Sequence, residues 1–203
     1  MLDNKMRNKG FTLIELLIVI AIVAILSVVV ILTLNPAELL RQSRDSSRIS
    51  DMSTLKTALS LYLADTLIPN LASTTAGYTA CYLSTVSGVG TTTAKCGVFI
   101  GAIITSNSST TAGFYRRMDA TGWIPVSFSQ ISAGTPFSSL PIDPTNNSAF
   151  YYTYAASSTP NSVFEINAFM ESSKYGKNGP KDTVSGDGGD NTNTFEVGNN
   201  LVL

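Results

Sequence analysis

The sequence predicts an α+β protein: one long N-terminal helix, apolar in its first half and amphipathic in its second, packed on a small antiparallel sheet. Three observations carry that prediction. An almost unbroken apolar run extends from Phe11 to Leu34. A following segment sets Ile49, Met52, Leu55, Leu59 and Tyr62 at spacings of three or four, one face of a helix. The C-terminal half breaks into short apolar and aromatic runs separated by turn residues.

Composition narrows the function. The chain has 203 residues, enough for one ordinary domain plus an extension. It is 44% hydrophobic, which allows a real core, and only 13% charged, against roughly 25% in soluble domains. Its net charge of −1 offers no broad basic surface for nucleic acid. Histidine is absent. That removes the commonest general base and zinc ligand, and with them any Ser-His-Asp triad. The sequence has no phosphate loop, Cys/His cluster or nucleophile motif. A non-enzymatic role is expected.

The N-terminus is the most informative region. Lys5, Arg7 and Lys9 stand against Asp3 just before the apolar run. At 1.5 Å per residue, that run is long enough to cross a hydrocarbon core of roughly 30 Å. The basic flank keeps the N-terminus cytoplasmic and sends the rest across the membrane. A secretory signal has an apolar stretch of only about 7–15 residues and a small-residue cleavage site after it. An ordinary signal anchor fits the length but leaves Glu15 unexplained. A carboxylate there costs about 2.5–3.5 kcal/mol on insertion scales, and no cation lies near it in the segment.

The stretch Lys9-Gly10-Phe11-Thr12-Leu13-Ile14-Glu15 resembles the prepilin peptidase site of type IV pilins and type II secretion pseudopilins. The resemblance implies cleavage between Gly10 and Phe11 by a membrane aspartyl peptidase, then N-methylation of Phe11. Glu15 becomes the fifth residue of the mature chain and pairs with the N-terminal amine of a neighbouring subunit. The cut itself would create the missing cation. Gly10 suits a protease site because it has no side chain to block close approach. The implied layout is a prepilin leader over 1–10, a membrane and filament-core helix over 11–34, an amphipathic helix over 35–65 and an exported head over 66–203.

Asn35-Pro36-Ala37-Glu38 has the chemistry of a helix restart, with Asn35 as cap, Pro36 at the first helical position and Glu38 as capping-box acid. The alternative is one continuous helix kinked at Pro36. Arg41, Arg44, Asp45, Arg48 and Asp51 lie mostly off the apolar stripe. They are expected to meet solvent or neighbouring subunits. The helix should end near Asp65, before Pro69-Asn70.

Residues 66–113 are rich in Thr, Ser, Gly and Ala and carry one charge, Lys95. Cys81 and Cys96 lie in this stretch. In an exported protein they read as a disulfide closing a short loop, contributing about 3 kcal/mol in the chain-entropy model. The competing reading is two free, semi-buried thiols. Val98–Ile104 fits a strand or a short apolar helix. Thr121–Phe128, Phe150–Tyr154, Val163–Met170 and Phe195–Val197 read as strands. Helix, variable loop and then sheet is the order of a pilin-like head. Leu140-Pro141-Ile142-Asp143-Pro144, followed by Tyr151-Tyr152, resembles a stretch of major pseudopilins and related pilins.

Two further segments are candidate sites. Asp182, Asp187 and Asp190 lie in a loop with Gly186, Gly188 and Gly189. Oxygen ligands on such a loop suit Ca2+, and major pseudopilins bind calcium in a C-terminal loop. A solvated acidic turn is the competing reading. Arg116-Arg117, beside Phe114, Tyr115 and Trp123, could grip single-stranded DNA, as some competence pilins do. Surface charge is the simpler account, and nucleic acid is not an expected partner.

The resemblance thus implies a structural subunit of a type IV pilus or pilus-like filament. The alternatives are a secretion pseudopilin and a DNA-binding competence pilin. The implied partners are other copies or related subunits, prepilin peptidase, the assembly machinery and the inner membrane. The implied location is single-pass in the inner membrane before assembly, then extracellular or periplasmic.

Overall fold

The computed structural model describes residues 10–71, 80–85, 96, 105–107, 115–157 and 162–203. The segment Val98–Ile104 lies outside them. The chain forms two compact units, Met1–Leu40 and Arg41–Leu203.

In the first unit, helix α1 spans Leu13–Leu34. Its side chains are apolar except for Glu15, Ser27 and Thr33. Ser27 donates to the Val23 carbonyl at 2.7 Å and Thr33 to the Val29 carbonyl at 3.0 Å, so both hydroxyls are satisfied within the helix. The helix stops at Asn35, which adopts a left-handed conformation with φ 40°. Asn reaches that region more easily than most residues because its short amide can bond locally. Helix α2 begins at Pro36 and runs to Asp65. The Asn35 side-chain oxygen accepts from the Glu38 amide at 3.4 Å, and its carbonyl accepts from the same amide at 3.0 Å. The restart, not the continuous kinked helix, is the observed arrangement.

The second unit is α+β. Strands β1 (Ala80–Leu83), β3 (Tyr152–Ser157), β4 (Val163–Ala168) and β5 (Phe195–Gly198) pair antiparallel in the order β1-β3-β4-β5. Strand β2 (Thr105–Asn107) adds to the outer edge of β1 in parallel. Alternation along the strands gives the sheet two faces. Tyr152, Tyr154, Phe164 and Ile166 on the front face share one core with Met52, Leu55, Leu59 and Tyr62 of α2. Each such side chain, fully buried, contributes about 1.5–3 kcal/mol. The rear face carries Cys81, Leu83 and Ala155, clustered with Cys96 and Tyr151. Cys81 and Cys96 are joined as a disulfide.

Two strand expectations shift. Residues 121–128 form no strand. They fold as a loop with an isolated bridge between Asp119 and Ser127 and a short 3-10 turn at Phe128–Gln130. Trp123, Ile124, Val126 and Phe128 are all buried nonetheless. Adjacent buried residues at 123 and 124 break the alternation a half-buried strand needs, and Pro125 cannot donate to a ladder. Gly122 makes the loop fit, because a side chain there would strike the Arg117 carbonyl and Leu140. Strand β3 starts two residues later than the aromatic run suggested. The Asn147 side chain takes the amides of Ala149 and Phe150 at 2.8 and 2.9 Å, holding them in a turn.

One position in this loop is strained. Ala120 is exposed and has φ 69°, a region that costs an L-residue about 1–2 kcal/mol. Ala120→Gly removes that penalty and loses no packing. After the unfolded-state entropy of glycine is counted, it should stabilise the head by up to about 1 kcal/mol. A melting temperature raised by a few degrees in the detergent-solubilised chain is the expected result, and an unchanged or lower one would contradict it.

Candidate functional site

The Gly10–Phe11 bond lies outside the helix that follows it. Gly10 and Phe11 precede α1, and Thr12 is extended with φ −80° and ψ 152°. Phe11 is 85% exposed and nothing lies within 4 Å of where a Gly10 side chain would project. Both residues that flank the Gly10–Phe11 bond are exposed.

Thr12 and Glu15 form a reciprocal cap. The Glu15 amide donates to the Thr12 hydroxyl at 3.3 Å, and Glu15 Oε2 accepts from the Thr12 amide and hydroxyl, both at 2.8 Å. This satisfies orphan donors at the helix start. Neither contact uses residues before Phe11, so the cap survives cleavage after Gly10. Among the described residues no cation pairs with Glu15. Beyond it, Leu13–Ile31 has a mean hydropathy of 3.3. Its large apolar side chains lie half or more exposed on every side of the helix. A helix apolar all round belongs in lipid or in a bundle. At 1.5 Å per residue α1 measures roughly 33 Å.

In the head, the structure buries charges that the sequence placed on a solvated face. Asp45 and Arg48 are fully buried. Arg48 Nε and Nη2 donate to Asp143 at 2.7 and 2.9 Å, and Nη1 donates to Asp45 at 2.7 Å. Arg48 also reaches Glu171, which takes a second, bidentate bond from Arg44. Asp45 in turn accepts the amides of Glu171 and Ser172. The Arg44 bond, followed by those from Arg48 and Thr145, lowers the Glu171 carboxyl to about 2. Its carboxylate partners hold the Arg48 guanidinium above its ordinary range despite burial. This cluster ties α2 to the Asp143 turn and to the segment after β4. A signal for it exists in the sequence. Positions 45 and 48 continue the 52, 55, 59, 62 stripe at the same spacing, but a search for apolar residues passes over them.

The acidic loop is organised by its own backbone. Asp182 accepts the amides of Asn178, Val184 and Ser185, which lower its carboxyl to about 2. Asp187 accepts those of Gly189 and Glu196. Asp190 Oδ1 is buried without a partner. Among the described residues, no three Asp, Glu, His or Cys side chains gather as a metal-binding group. Elsewhere in the head, Arg116 ties its segment to residues 139–140, donating to the Leu140 carbonyl and the Ser139 hydroxyl, each at 3.0 Å. Arg117 lies 3.8 Å from Asp119. Both arginines line an open groove of about 480 Å³ with Asp119 and Ser139.

Residues 5–31 match the family described as the prokaryotic N-terminal methylation motif. No curated protein and no solved structure matches the chain.

Proposed function

We propose that this chain, whose N-terminus carries the signature of type IV pilins and pseudopilins, is a structural subunit of a pilus or pilus-like filament. The observation that carries the reading is the continuity of the motif with a helix apolar on all sides, starting directly after an exposed Gly-Phe bond. The motif family is structural rather than enzymatic, and its apolar helix suits membrane anchoring before assembly.

The helix holds the precursor in the inner membrane. Prepilin peptidase hydrolyses the Gly10–Phe11 bond and leaves an amine on Phe11, which is then methylated. The assembly machinery withdraws subunits from lipid, and their α1 helices bundle. Burying apolar area contributes about 25 cal/mol per Å². Glu15 then meets the amine of a neighbouring copy, which fixes register because either charge alone would be costly in that core.

A secretion pseudopilin is the second reading. Its support is the Leu140–Pro144 stretch, whose members hold the head together: the Pro141 carbonyl accepts the Trp123 indole N–H at 2.9 Å, and Asp143 binds Arg48.

Intact-mass and N-terminal peptide mass spectrometry on the native membrane or surface fraction tests the common core. A chain starting at Phe11, with or without one methyl group, is expected. A chain retaining residues 1–10 in a host with active peptidase would reduce α1 to a plain anchor.

A further inference from the structure

We propose that the groove lined by Arg116, Arg117, Asp119 and three serines binds a saccharide that bears a carboxylate. The two arginines take the carboxylate, and Asp119 and the serines take the sugar hydroxyls. The proposal concerns the head alone and does not depend on the filament reading.

The groove is firm because its walls are tied through the backbone. The amides of Trp123, Phe128 and Leu140 donate to the carbonyls of Tyr115, Met118 and Arg116 at 2.8, 2.9 and 2.9 Å. Asp119 bridges to Ser127. Trp123, Phe128 and Leu140 are themselves members of the buried core, so the walls are fixed to the body of the head. A site that needs little ordering on binding keeps more of its interaction energy.

The cations in it are held but not neutralised. Arg116 donates to the Leu140 carbonyl and the Ser139 hydroxyl, each at 3.0 Å, which uses two of the five N–H groups of a guanidinium. Both acceptors are uncharged, and Arg116 forms no ion pair among the described residues. Its plane is therefore set while its charge stays available. Arg117 lies 3.8 Å from Asp119, with both side chains half-exposed, so water screens that pair. A planar guanidinium matches a carboxylate with two parallel bonds.

The rest of the lining suits hydroxyls. Ser129, Ser138 and Ser139 can each donate and accept, and Asp119 accepts. Asp119 is positioned by its own turn: Oδ1 takes the Thr121 amide at 3.1 Å and the Thr121 hydroxyl. The residue between them, Ala120, has φ 69°. Strain of this kind gathers at ligand sites, and here it sits directly beside a groove residue.

The same lining argues against nucleic acid. No aromatic ring among the described residues lines the groove, and Trp123 is only 1% exposed. A base would have no platform to stack on. The Asp119 carboxylate repels a row of phosphates but accepts from a sugar hydroxyl. The volume of about 480 Å³ falls in the range of roughly 300–1,000 Å³ usual for small-ligand sites.

The test is titration calorimetry of the full chain in detergent with trigalacturonate, neutral maltotriose, acetate and a short oligothymidylate. Trigalacturonate should bind saturably, and the other three at least about tenfold more weakly. Arg117→Gln removes one cation, and Ser138→Phe fills the groove. Both positions are exposed, so both variants should keep the wild-type melting temperature while each loses at least about tenfold in affinity for trigalacturonate. Failure of trigalacturonate to bind, or unchanged affinity in both variants, would overturn the proposal. Equal binding of maltotriose or acetate would do the same, because the carboxylate or the sugar would then count for nothing. So would oligothymidylate binding as tightly as trigalacturonate, which would make the groove a nucleic-acid site.

Discussion

Replacing Arg48 by methionine should destabilise the head by about 3–5 kcal/mol, the range for removing one partner of a buried ion pair. Methionine fills comparable volume, so the loss is electrostatic. Asp45, Asp143 and Glu171 would remain at the junction of α2 and the sheet, with Arg44 as the one cation and the Thr145 hydroxyl left to serve Glu171. Arg48→Lys should recover little, because an ammonium cannot reach three carboxylates with the fork a guanidinium offers. Denaturant unfolding of the full chain in detergent, followed by near-UV circular dichroism, measures this. A loss under about 1 kcal/mol would mean that the cluster is solvated. The acid limb gives a second readout. Glu171 is depressed to about 2 from an ordinary 4.5, so its stabilisation is present above 4.5 and lost as pH falls through 2. Without Arg48 that loss should begin at higher pH.

Replacing Glu15 by alanine should leave cleavage after Gly10 intact and reduce filament yield at least about tenfold, the factor for roughly 1.4 kcal/mol per contact. Alanine makes α1 more apolar, so membrane insertion should not suffer. It removes the carboxylate proposed to receive a neighbouring N-terminal amine and leaves that amine unpaired in an apolar bundle. Glu15→Gln keeps the bond to Thr12 in form but not the charge, so it should assemble no better than alanine if charge pairing sets register. Immunoblots of sheared surface fractions, alongside the N-terminal mass of the precursor, separate assembly from processing. Normal filament yield in both variants would remove Glu15 from the assembly argument.

Much of the molecule was legible from its residues. The apolar run and the one carboxylate within it, Glu15, mark helix α1, because a helix and its end are local in sequence. The α2 stripe from Met52 to Tyr62 and the β4 alternation could be read for the same reason. The 121–128 segment reads as a strand from its apolar residues, but apolar content does not distinguish burial in a loop from pairing in a sheet, and Pro125 stands in its middle. The late start of β3 depends on the Asn147 turn, which no periodicity reports.

The charges divide the two kinds of information most sharply. Sequence determined which residues carry charge and that a long apolar helix precedes an α+β head. It could not determine which charges are buried. Arg48 meets Asp143 and Glu171 across 95 and 123 residues of chain, and Asn167 stands opposite Glu196 only because β4 and β5 pair in one register. Helical and strand periods report neighbours within a few residues. The partners that decide whether a buried carboxylate keeps or loses its proton are set by the packing of segments far apart in the chain, and only the tertiary structure fixes that.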